Sequence, residues 1–273
     1  RHLMVGEDST LPSPGSPEMI LFYLVVHVGT VVSIVVVFRN SLRHLCGGML
    51  RDANQLRRNP ASIIKLNQHL PLKLAILGGV AILVTGLIGF PFKRTFEHIF
   101  ETPAAIAVTL AITGVLLWWT DRIRGRYRLR EISFRHAVIV GIGQALALMP
   151  GLSRSGLTIS FALFSGVRRR WAAEFSFFIA IPTILGGTVL QGLSVYKAGG
   201  VQGISFAAYA VAFVVSALVG IVALKLVLHL LYRARFRYFS YYVWTLSAVV
   251  VVLIFTGHLA PDETTSAPPP HLP

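Results

Sequence analysis

Met149-Pro-Gly-Leu-Ser-Arg-Ser-Gly-Leu-Thr158 joins two apolar segments that are each too short to cross a membrane. The basic groups on either side, six arginines within 122–135 and the run Arg168, Arg169, Arg170, should face one compartment, because Lys and Arg concentrate in loops on the inner side. A single crossing between them is excluded by parity. Residues 136–149 supply 14 positions and residues 157–167 supply 11, about 21 Å and 17 Å of helix against a hydrocarbon core of about 30 Å. Two full crossings do not fit, so the pattern predicts a re-entrant helical hairpin over 136–167. Pro150, Gly151 and Gly156 break the helix at its tip. Non-helical backbone at membrane depth is tolerated only where protein or a watery cavity satisfies it.

Outside this stretch the composition is that of an integral membrane protein. The 273 residues are 54% hydrophobic and 13% charged, with mean hydropathy +0.68, against roughly 25% charged residues in soluble domains. Full spans are expected near 19–38, 72–92, 103–120, 171–195, 204–232 and 238–257, giving an all-α polytopic protein of about six transmembrane helices plus the hairpin. The net charge of +14 is not a nucleic-acid signal, because 19 of the 25 Lys and Arg lie in four groups, at 39–73, 122–135, 168–170 and 233–237. Those loops are expected in the cytoplasm and both termini outside, with no nucleic-acid partner. Residues 1–260 read as a single membrane domain and 261–273 as a disordered tail. The single cysteine, Cys46, excludes an intrachain disulfide and reads as a bystander. No secretory signal is visible. The start on Arg1-His2-Leu3 rather than methionine leads to the expectation that the sequence begins part-way through its reading frame.

Arg154 carries a permanent charge on a planar fork that matches phosphate oxygens, Ser153, Ser155 and Thr158 add hydroxyl donors, and Gly151 and Gly156 let backbone N–H groups approach closely. Together they read as a phosphate cradle, with the alternative that Arg154 anchors carbonyls of a neighbouring helix. The stretch is neither a Walker A loop, since no lysine follows Gly156, nor a nucleophile elbow, since Ser155 stands where glycine is required. Gln144 is read as an interhelical donor or a substrate contact, and Ser176 and Thr183 as interhelical donors. Glu174, the one carboxylate inside an expected span, reads as a helix-surface partner of Arg170. His27 reads as a packed histidine bonded to a carbonyl. No pair of buried carboxylates is visible, which leaves the ligands of any metal unknown.

The run Gln144-Ala-Leu-Ala-Leu-Met-Pro-Gly-Leu-Ser-Arg-Ser-Gly-Leu-Thr158, then Gly166-Val167, Ala173-Glu-Phe-Ser-Phe177 and Pro182, closely resembles the bacterial undecaprenyl-diphosphate phosphatase family, also called bacitracin-resistance proteins. Val26-His-Val-Gly-Thr30 resembles that family's first long span. The family's other signature, Glu-x-x-x-Glu running into Ser-Ser-x-Gly-His in a first hairpin related to the second by an inverted repeat, is represented only by His2-Leu3. Tyr23 stands where many members have an acidic residue. The resemblance implies hydrolysis of a polyprenyl diphosphate lipid to the monophosphate with Mg²⁺ or Ca²⁺, in a site facing the periplasm at the bacterial inner membrane. That reaction recycles the lipid carrier for cell-wall synthesis. It implies Arg154, Ser153, Ser155, Thr158 and His2 as catalytic residues, with Gly151, Gly156 and Gln144 contacting substrate, and leaves the nucleophile and a homodimer open. Two alternatives remain at this stage: a polyprenyl-phosphate flippase, and a paralogue that binds the lipid diphosphate without cleaving it because the acidic pair is absent. Without the acidic pair the chain as it stands is expected to turn over poorly, and the missing carboxylates are expected upstream of Arg1.

Overall fold

The computed structural model describes residues 16–58, 69–99, 102–197 and 206–257. His2 and the tail 261–273 lie outside the described residues. The order of elements is α1 (Pro17–Val37), α2 (Arg39–Arg58), α3 (Leu70–Ile99), α4 (Pro103–Thr120), α5 (Phe134–Leu146), α6 (Arg154–Phe164), α7 (Arg169–Lys197), α8 (Phe206–Tyr232) and α9 (Arg237–Phe255). The protein is all-α and polytopic. Six of the described helices, α1, Leu70–Phe92 of α3, α4, α7, α8 and α9, are long and apolar enough to cross a membrane. Their ends fall within two residues of the expected spans, because in lipid only continuous helix satisfies every backbone group. The two short helices α5 and α6 occupy the segment expected to form the hairpin.

Two features depart from the expectation. Residues 39–58, expected as a basic loop, form α2, since Leu42, Leu45, Met49 and Ala53 recur at helical spacing. Helix α3 also continues past its apolar span, through Pro91, to Ile99.

The chain divides into two compact units. In the first, residues 1–76 and 177–229, α1 and α8 run in the same direction through a small-residue seam. The Ser33 hydroxyl donates to the Ala217 carbonyl at 2.8 Å, Ser216 donates to Val26 at 2.8 Å, and Tyr209 donates to Glu18 at 3.0 Å. Small residues at four-residue spacing, Gly29 and Ser33 on α1 with Ser216 and Gly220 on α8, bring the two backbones close. Phe38, at the α1–α2 elbow, is buried, its ring centroid 5.2 Å from that of Phe177. His27 bonds the Tyr23 carbonyl at 2.7 Å, as expected, but its ring is exposed rather than packed, because it lies on the face of α1 turned away from α8.

The second unit comprises residues 77–176 and 230–273. There α4 and α9 pack antiparallel: the Trp244 indole donates to the Ala111 carbonyl at 3.1 Å and Ser247 to Ala107 at 2.8 Å. Gly114 admits the indole, since a Cβ there would overlap Trp244. At the end of α4, Asp121 accepts the backbone N–H groups of Phe236 and Arg237 at 2.7 Å and 2.8 Å, capping α9. Arg169 pairs with the same carboxylate at 3.5 Å and donates to the carbonyls of Thr120, Asp121 and Ile123 at 2.9–3.1 Å. One ion pair thus closes the C-terminus of α4, the N-terminus of α9 and the start of α7.

Candidate functional site

Helices α5 and α6 fold back on each other, with Gly143 against the Phe161 ring. At 13 and 11 residues they extend about 20 Å and 17 Å, short of the core thickness. Their open ends are drawn together by backbone: the N–H groups of Arg126 and Tyr127 donate to the Gly166 carbonyl at 2.7 Å and 2.9 Å, and the Arg168 N–H donates to Tyr127 at 3.0 Å. Helix α5 runs parallel to α3. The Thr85 hydroxyl reaches the Gly141 carbonyl at 3.1 Å, Gln144 Nε2 donates to Thr85 Oγ1 at 3.1 Å, and further along Gly89 meets Leu148. Gln144 is therefore a buried rivet between α3 and α5, the interhelical role expected of it, and sits below the tip rather than in it.

The tip, residues 147–153, is non-helical, and α4 satisfies it. Thr109 Oγ1 lies 2.9 Å from the Pro150 carbonyl, while the Thr113 hydroxyl donates to Gly151 at 3.3 Å and accepts the Ser153 N–H at 3.4 Å. Gly151 has φ +84°, and a Cβ there would collide with Thr109 Oγ1, so the turn needs glycine for both conformation and room. Helix α4 also measures depth. Thr109 and Thr113 stand six and ten residues after Pro103, about 9 Å and 15 Å along the axis, which puts the tip near the middle of this span.

Past the tip, Ser153 caps α6 by accepting the Gly156 N–H at 3.2 Å, and Arg154 is its first residue. The Arg154 side chain is half-buried and makes no hydrogen bond or ion pair among the described residues. The carbonyl anchorage considered for it from sequence is absent among them. Ser155 is also half-buried, and its hydroxyl has no partner among the described residues. The first N–H groups of a helix lack intrahelical partners and carry the positive end of its dipole. With Gly156 N–H engaged by Ser153, those of Arg154 and Ser155 remain for an anion, the usual ligand of such an end. Thr158 points elsewhere: it is buried, and its hydroxyl donates to the Arg154 carbonyl at 2.9 Å. It shapes the first turn of α6 from behind. Gly156 is buried, where a Cβ would lie 3.4 Å from Leu117.

Among the described residues no three His, Cys, Asp or Glu side chains gather as a metal site. Glu174 pairs with Arg170 at 3.1 Å, as expected for the i,i+4 pair, but its carboxylate is buried rather than on the helix surface. The Thr183 hydroxyl bonds back to Ile179 at 2.7 Å within its own helix, and Ser176 Oγ is buried without a hydrogen-bond partner among the described residues.

Thr109 and Thr113 are the positions that sequence reading passed over. Their signal is the four-residue spacing on the protein-facing side of α4, shared by buried Thr120. Replacing both with valine, which keeps the shape, strands the Pro150 and Gly151 carbonyls and the Ser153 N–H. At about 1–3 kcal/mol for each stranded group, the Thr109→Val/Thr113→Val protein should show a lowered unfolding temperature in detergent. An unchanged melting curve would remove α4 from the support of the tip.

A family model described as Bacitracin resistance protein BacA matches residues 2–249. Among curated relatives, the undecaprenyl-diphosphatase of Halorhodospira halophila is 50% identical over 254 residues, covering 92% of this chain and 87% of its own. That of Alkalilimnicola ehrlichii is 51% identical over 253 residues, covering 90% and 84%. The Carboxydothermus hydrogenoformans undecaprenyl-diphosphatase is 38% identical over 242 residues, covering 88% and 85%.

Proposed function

Because this chain belongs to the bacitracin resistance protein BacA family, we propose that it is an undecaprenyl-diphosphatase, a hydrolase acting on a lipid substrate within the membrane. The relatives' shared name favours hydrolysis over the carrier reading. Water adds to the terminal phosphorus of undecaprenyl diphosphate as the bridging P–O bond breaks, giving undecaprenyl phosphate and inorganic phosphate. Negative charge grows on the bridging and terminal oxygens as that bond lengthens, and fixed positive charge aimed at them lowers the barrier.

The observation that carries the assignment of the site is the Arg154 guanidinium at the N-terminus of α6, which has no partner among the described residues. Arg154 clamps the diphosphate, Ser153 and Ser155 donate from their hydroxyls, and Gly151 and Gly156 let the turn and the start of α6 seat closely on α4, which sets the headgroup beside the N–H groups of Arg154 and Ser155. Thr158 and Gln144 act from behind, holding α6 and α5. Mg²⁺ and Ca²⁺ bind through several oxygen ligands, chiefly carboxylates. The tip offers hydroxyls and carbonyls beside a cation, and no Asp or Glu. The described residues do not by themselves fit such an ion.

The concentration of arginine in alternate loops supports a bacterial inner-membrane protein whose basic loops face the cytoplasm. The tip, about 9–15 Å from the Pro103 end of α4, then opens toward the exterior. The test is release of inorganic phosphate from undecaprenyl diphosphate by the purified full-length protein in detergent with Mg²⁺. One phosphate per lipid, with undecaprenyl phosphate as the lipid product, is expected; no release above a buffer control would overturn the assignment.

A further inference from the structure

Helix α2 is a segment that phosphatase chemistry does not use. It begins at Arg39, with only Phe38 between it and the end of α1. Its inner side is held at two points: Gly48 lies against the ring of Pro71, and the Asp52 carboxylate meets His69 Nδ1 at 3.0 Å and the Leu72 N–H at 3.4 Å. Both contacts are with the first turn of α3, where its apolar span starts at Leu70. The middle of α2 is thereby held at the height at which hydrocarbon-compatible sequence begins.

The rest of the helix is uncovered. Arg39, Arg43, His44, Arg51, Arg57 and Arg58 are exposed, and among the described residues none of them pairs with a carboxylate. The one acid of α2, Asp52, is turned inward to His69. Beside these arginines runs an exposed apolar strip, in which Leu50 is 75% accessible and Cys46 and Ala53 are also exposed. An apolar strip flanked by arginines, on a helix held level with the start of a span, has the composition of a segment lying in the lipid interface. Juxtamembrane clusters of basic residues of this size are attracted to anionic lipid.

We propose that α2 is an interfacial anchor: its strip from Cys46 to Ala53 enters the headgroup boundary of the leaflet at which α1 ends, and its arginines bind anionic phospholipid headgroups. Charge complementarity selects the lipid, since five uncompensated arginines on one helix favour a negative surface over a zwitterionic one, by about five-fold for each residue close to it.

The single cysteine supplies the reporter. A nitroxide on Cys46 of the full chain is read by its collision rates with oxygen, which partitions into lipid, and with a water-soluble nickel complex. In phosphatidylcholine vesicles containing phosphatidylglycerol, the oxygen-to-nickel ratio should rise several-fold over that in phosphatidylcholine alone, and high salt should reduce the rise. The Arg43→Gln/Arg51→Gln/Arg57→Gln protein should lose it while keeping its thermal stability. A label equally open to water in both vesicles would overturn the proposal. So would a label immobilised in detergent in proportion to protein concentration, which would mean that a second copy of the chain covers the strip.

Discussion

Arg154→Ala should lower phosphate release from undecaprenyl diphosphate by at least about a hundredfold, the range for removing one preorganised donor from a developing oxyanion; arginines that meet a transferring phosphoryl group reach about 10³–10⁵. Its unfolding temperature should stay at the wild-type value, because the guanidinium makes no bond that folding would lose among the described residues. This pairing of outcomes separates clamp from anchor: a structural arginine would take stability down with activity. Arg154→Lys keeps the charge but loses the planar fork, and should fall between the two. Release at the wild-type rate from the alanine protein would remove the tip of the hairpin from the active site.

The largest loss of stability is expected at Asp121→Ala. The carboxylate accepts two backbone N–H groups at the start of α9 and pairs with Arg169, with side-chain exposures of 10% and 15%. Removing one partner of a largely buried ion pair costs about 3–5 kcal/mol. Unfolding in detergent, followed by tryptophan fluorescence, should shift well below the wild-type transition. Asp121→Asn retains one acceptor oxygen and should recover part of the loss. If the alanine protein melts with the wild type, α9 draws no stability from its cap.

How legible these features were follows from the kind of physics each expresses. Spans are set by apolar length, a local property, and their ends could be read from the chain. The hairpin came from combining length with charge parity, which needs no knowledge of partners. Helix α2 was missed because 39–73 was weighed by charge alone, although its apolar positions recur at helical spacing. Thr109, Thr113 and Asp121 were missed for a deeper reason. A threonine in an apolar run is nearly neutral in hydropathy, and an aspartate among arginines looks like loop charge. Their meaning lies in backbone groups 38 to 116 residues away. Thr158 illustrates the converse, a hydroxyl with the right neighbours in sequence that its own helix claims.

The threonines of α4 also bear on the order of assembly. The chain is made from its N-terminus, so α4 is in place before residues 134–164 leave the ribosome. A polar turn carrying an arginine could not settle in hydrocarbon unaided, but it arrives to find acceptor and donor hydroxyls already at the right depth. Asp121, made alongside those threonines, waits longer, until α9 emerges to be capped. Helix α4 therefore acts as a template along which the later half of its unit is laid down.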